Sequence, residues 1–174
     1  MTMYNQAFDI YHGVYRILHI LERLEDCEIL ELDRLRIWDF YLLFPYKTYE
    51  IRLGKNYKEI ISFRKQYIKK DTNLYDSIYD GRKLLERLRP YQMGALNCLA
   101  SYGILDSGQL LNNDKVKITD KVKLMELTQH IGKLTNEENN VLSWLCTFFR
   151  TFPMKGVNGF KSRTKLLISK YDGI

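Results

Sequence analysis

The sequence predicts a mainly α protein: a multi-helix domain with a winged-helix-like module that carries one small β-hairpin. Three observations predict it. Apolar residues recur at helical spacing through most of the chain. The period changes over one stretch, residues 104–119, where a polar turn separates two short apolar runs. The composition, 45% hydrophobic and 28% charged with only 3 Pro in 174 residues, is that of a folded chain, and this length buries a core without disulfide or metal staples.

The first element is an amphipathic helix between Phe8 and Leu24. Ile10, Val14, Ile17, Leu18, Leu21 and Leu24 form its stripe, which Tyr4, Phe8, Tyr11 and Tyr15 widen. The other face carries His12, Arg16, His19 and Arg23. Solvation is the ordinary role of such a face, and contact with a phosphate or carboxylate is the sharper one. An acidic link, Glu25, Asp26, Glu28 and Glu31, leads into LDRLRIWDFYLLFP at residues 32–45, with Asp33 as N-cap and Pro45 as stop. Apolar residues surround this helix, which predicts burial on all sides, in its own core or under a partner. Asp39 in its middle needs an Arg of the same chain or a backbone amide, because an unpaired buried carboxylate costs about 3 kcal/mol or more.

A helix follows over residues 56–70, and residues 71–80 are ambiguous between helix and loop. Residues 82–88 are helical, and Pro90 is read as the first residue of a separate helix, PYQMGALNCLASYG, which Gly103 ends. ILDSGQLL, the turn Asn112, Asn113 and Asp114, and KVKIT make the hairpin. Thr119 or Asp120 caps the next helix, and Thr135 with Glu138 forms a capping box for the last long one, which buries Val141, Leu142, Trp144, Leu145, Phe148 and Phe149. The organisation is a helical region with an apolar interface helix over 1–80, a winged-helix-like module over 81–153, and a basic tail over 154–174 packed on the same domain.

Charge divides unevenly. Residues 1–80 hold 12 Lys and Arg against 13 Asp and Glu, whereas residues 81–174 hold 15 against 8. A basic half suits a polyanion or an acidic protein surface, or is simply solvated. Cys27, Cys98 and Cys146 lack CxxC spacing, which predicts reduced, buried thiols and a cytoplasmic location. No signal peptide or membrane-spanning run is expected. Phosphate-binding loops, GxGxxG, HExxH, GxSxG and zinc-spaced Cys/His clusters are all missing, so the expectation is a chain without a catalytic site, metal or cofactor.

The helix preceding the wing bears on DNA binding. Residues 90–102 contain no Arg or Lys, leaving Gln92, Asn97 and Ser101 to face outward, which argues against base readout. Non-specific phosphate contact is the better-supported form, through Lys115, Lys117, Lys121 and Lys123, with Lys161, Arg163 and Lys165 in the tail. The 13 Tyr, 8 Phe and 2 Trp exceed what a core of this size requires and suit a protein interface, with Trp38 either there or in the core.

Three segments, LDRLRIWDFYLLFP (32–45), PYQMGALNCLASYGIL (90–105) and GFKSRTKLLISKYD (159–172), resemble the middle component of ABC-three-component systems. That family includes the small third subunit of Lamassu-type antiphage defence. The resemblance implies a bacterial adaptor between an SMC-like ABC ATPase and an effector such as a nuclease, acting against phage or plasmids. It brings no catalytic residue. Asp39, Phe40, Tyr41, Phe44 and Pro45 match its first motif, and Arg163, Tyr171 and Asp172 its last; together with Trp38 they are candidates for shaping the fold or a subunit interface. Where the family tends towards Gly after the Arg-Thr pair, this chain has Lys165. The alternative is a stand-alone winged-helix transcription regulator.

Overall fold

The structure is a computed structural model that describes residues 5–70 and 80–167. It is mainly helical, with one two-stranded antiparallel sheet, as the sequence predicts. In chain order come α1 (Ile10–Glu22), β1 (Ile29–Glu31), α2 (Leu32–Leu43), a 3-10 segment (Pro45–Glu50), α3 (Lys58–Tyr67), α4 (Gly81–Ser101), α5 (Ser107–Asn113), β2 (Lys115–Lys117), α6 (Lys121–His130), α7 (Asn136–Phe149) and α8 (Phe160–Thr164). The chain forms two compact units, each made of two stretches: Met1–Asp39 with Arg87–Lys133, and Phe40–Glu86 with Leu134–Ile174. These cut across the sequence-order segments 1–80, 81–153 and 154–174.

In the first unit, Asp9 caps α1 by accepting from the amides of Tyr11 and His12. Ile17, Leu18, Ile20 and Leu21 of α1 are buried with Leu30, Leu35, Leu96, Ile104, Leu110, Val116 and Leu124. Gly103, at φ 83°, ends α4 as expected: its amide donates to Ala100 O and the Ile104 amide to Leu99 O, the paired bonds of a Schellman cap. Asp120 is the residue that caps α6.

The hairpin requires correction. Residues 107–113 fold as α5 because the Asp106 side chain accepts from the Gln109 amide and starts a helix, which Asp114 ends in the left-handed region. Strand β2 pairs instead with β1, in the register Ile29↔Lys117, Leu30↔Val116 and Glu31↔Lys115. Of the run that was to be the first hairpin strand, only Leu105 pairs, in an isolated bridge with Ile118. A second correction concerns Pro90, which lies inside a continuous α4. The missing N–H and the ring cost a helix about 3 kcal/mol, set against burial of Leu84, Leu85 and Leu88 before Pro90 and Ala95, Leu96 and Leu99 after it. Asp33 lies in the first turn of α2 rather than before it.

In the second unit the capping box of Thr135 and Glu138 is present. Trp144 is core, and its Nε1–H donates to Ile60 O at 2.9 Å. Phe149 packs on Trp144, Phe160 and Phe152 with ring centroids 4.9, 5.0 and 5.5 Å apart. Lys165 ends α8 at φ 56° and ψ 13°, the left-handed region, which explains why a glycine suits this place. Exposed there, Lys165→Gly should raise stability by about 1 kcal/mol, read as a higher denaturation midpoint.

The cysteines are free, but Cys27 and Cys98 are exposed and Cys146 is half-buried, against the buried thiols expected. Cys27 occupies the turn before β1 at φ 63°, and Cys98 lies beside exposed Asn97 on α4. Among the described residues no helix is long and apolar enough to cross a membrane.

Candidate functional site

The most organised polar centre surrounds Asp39, in the first unit. Asp39 is fully buried, and Arg16, Arg36 and Gln92 around it are at most 5% exposed. Arg16 Nε donates to Asp39 Oδ1 at 2.6 Å and Nη2 to Oδ2 at 3.4 Å. Gln92 Nε2 donates to Asp39 Oδ2 at 2.8 Å and to Arg36 O at 3.1 Å, while its Oε1 accepts from Arg36 Nε at 3.1 Å. Arg36 also faces Asp33 at 3.6 Å.

The carboxylate thus has an Arg of its own chain, one of the two partners the sequence required. Both its oxygens accept hydrogen bonds from side chains of the same chain, so the centre joins α1, α2 and α4. The polar ridge of α1 divides: Arg16 and His19 are buried, with His19 Nε2 2.8 Å from Gly132 O, whereas His12 is half-buried and Arg23 exposed. The carboxylate contact is the reading that holds for Arg16. Gln92, one of three polar residues of its helix that could face outward, is buried. A signal existed: Leu88, Gln92, Ala95, Leu96 and Leu99 continue one helical stripe.

The remaining residues of the first motif lie in or near the core. Trp38, Phe40 and Tyr41 are buried, whereas Phe44 and Pro45 are half-buried. Phe40 packs its ring on Tyr41 and Phe44, with centroids 5.4 and 5.1 Å apart. Burial, reinforced by Glu50, pushes the Tyr41 phenol well above its ordinary range, which keeps the hydroxyl neutral. Tyr171 and Asp172 lie outside the described residues.

The basic candidates divide between the units, Lys115, Lys117, Lys121 and Lys123 in the first and Lys161, Arg163 and Lys165 in the second. Several have intramolecular partners. Lys121 Nζ donates to Leu24 O at 2.7 Å. Lys123 Nζ donates to Tyr102 O at 2.5 Å and sits 4.2 Å from the centre of that ring. Arg163 donates to Asn158 O, Arg52 O and the Tyr57 hydroxyl at 2.7, 2.9 and 3.1 Å. Lys115 and Lys117 share the outer face of the sheet, opposite Glu31 and Ile29; with residues 107–113 helical, they lie on a strand paired across the sequence rather than on a wing. Lys165 is exposed and Lys161 half-buried. Among the described residues no three His, Cys, Asp or Glu side chains converge as metal ligands would.

No curated protein and no solved structure matches this chain. The family model that does match is described as ABC-three component (ABC-3C) system Middle Component 5, and it aligns with residues 2–172. It covers both units and all three resembling segments, so the chain belongs to the Middle Component 5 family of ABC-three component systems.

Proposed function

We propose that the protein is a non-catalytic, cytoplasmic adaptor that links an SMC-like ABC ATPase to an effector, such as a nuclease, in a bacterial antiphage or antiplasmid complex of the Lamassu kind. The observation that carries this reading is membership of the Middle Component 5 family, whose name makes the chain one component among several. The residues support it. Asp39 and Arg163 are occupied within the chain, while Tyr11, Leu111 and Val122 offer large apolar surface at 85%, 69% and 69% exposure, which suits contact with other subunits. Non-specific DNA contact through Lys115 and Lys117 is a subsidiary role in the assembled complex.

The test is affinity purification of the tagged chain expressed with its neighbouring genes. Recovery of a large ABC-type ATPase at fixed stoichiometry supports the adaptor; a lone dimer that shifts a defined operator establishes the regulator instead. Lys115→Glu with Lys117→Glu should leave assembly intact and weaken DNA retention by the complex. Undiminished retention removes the DNA role.

A further inference from the structure

The small sheet has one open backbone edge. In an antiparallel ladder, alternate residues turn their N–H and C=O groups toward the partner strand and away from it. The Leu32 amide donates to Asp114 O at 2.9 Å, and with Leu30 opposite Val116 this sets the even-numbered residues of β1 against β2. Ile29 and Glu31 therefore present their backbone groups outward, the Glu31 amide meeting its own carboxylate and the Ile29 amide and both carbonyls facing out.

The far edge of β2 is already used. The Asp106 amide donates to Lys117 O at 3.0 Å and the Thr119 amide to Ile104 O at 2.8 Å, around the Leu105↔Ile118 bridge. Among the described residues no strand or bridge pairs with the outer edge of β1. The Ile29 side chain beside it is 47% exposed.

The surroundings restrict what can join this edge. Residues 24–31 hold four acids and no base, and Glu25 and Asp26 are exposed. Burial raises Glu31, but the hydrogen bond from Arg34, its own amide and the charges of Arg34 and Lys115 outweigh that and hold its carboxyl below the ordinary range, so it stays ionised at neutral pH. Two copies of this edge brought together would juxtapose their acids, which disfavours self-pairing. A strand with basic flanks meets no such penalty.

We propose that β1 receives one extended, basic segment of another subunit of the system as an added strand alongside Ile29–Glu31, with an apolar side chain of that segment against Ile29. This rests on the adaptor reading, and the experiment separates the two. Residue-resolved amide hydrogen exchange is measured on the free chain and on its complex with the co-expressed subunits. The Ile29 amide, fast in the free chain, should slow about tenfold or more on assembly, whereas Leu30, which faces β2, should be slow in both.

Ile29→Pro removes the outward amide together with the Ile29 side chain and should weaken the complex about fivefold to tenfold, while Ile29→Val, which keeps the amide and an apolar side chain, should not. Asp26→Lys should weaken it too, through repulsion of a basic segment. A complex that forms with Ile29 exchange unchanged and tolerates Ile29→Pro overturns the added strand and leaves the adaptor standing. Self-association of the free chain that Ile29→Pro abolishes makes a second copy the occupant and overturns the proposal. An unchanged or tighter complex with Asp26→Lys overturns its basic character. Failure to form any complex overturns the adaptor reading and this inference with it.

Discussion

Asp39→Ala should destabilise the protein by about 3–5 kcal/mol, the usual cost of removing one partner from a buried ion pair. Arg16 is only 3% exposed, and its Nε and Nη2 both point at the deleted carboxylate. Gln92 Nε2 would lose its shorter bond while keeping Arg36 O. Natural domains hold only about 5–15 kcal/mol in total, so this single change should sharply lower the urea midpoint and the yield of soluble protein. The control is the pair Arg16→Met with Asp39→Leu, which removes both charges and fills the space with apolar atoms. It should recover most of the loss, because the penalty lies in the orphaned charge rather than in a large net gain from the pair. A loss below about 1 kcal/mol for Asp39→Ala would mean that the centre is relaxed enough to admit water and is not a structural keystone.

What was legible in the sequence follows from how local its cause is. Thr135 and Glu138 stand three residues apart and satisfy each other's backbone amides wherever the helix goes, so the pattern alone identifies them. Asp120, Gly103 and the stripe of α1 were readable for the same reason. Asp39 was legible as a requirement, since a carboxylate amid aromatic residues must be paired; which Arg supplies the pairing was not, because Arg16 lies 23 residues away. The β1–β2 pairing is more distant still, and a three-residue strand has almost no periodicity of its own. The run at 104–111 misled because its leucines suit a strand as well as a helix, and Asp106 as an N-cap decides between them. Pro90 misled because tertiary burial outweighs local propensity. The family match was legible through three segments, and their buried members, Trp38, Phe40, Leu96 and Phe160 among them, act through the core.

Arg163 provides the second large effect and distinguishes two roles assigned to one residue. A guanidinium reserved for a phosphate or a partner can be removed without cost to the isolated chain. Here it gives hydrogen bonds to Asn158 O, Arg52 O and the Tyr57 hydroxyl and lies 4.8 and 5.3 Å from the ring centres of Tyr57 and Phe152. The Arg52 amide returns a bond to Arg163 O at 3.0 Å, so main chain and side chain fasten the same two segments. Arg163→Ala should therefore cost about 2–3 kcal/mol, allowing for partial solvent screening of charge-assisted bonds and cation–π contacts that do not add fully. Arg163→Lys should rescue little of this, since one ammonium cannot reach three acceptors while stacking on two rings. Tyr57→Phe should lose only one bond and cost about 1 kcal/mol. Thermal melts of the three variants check the order. If Arg163→Ala melted with the wild type but weakened the complex or its DNA retention, the side chain would belong to the surface and the motif Arg163 anchors would be a contact site. The bonds to Arg52 and Asn158 predict the opposite result, with stability lost before any partner is added.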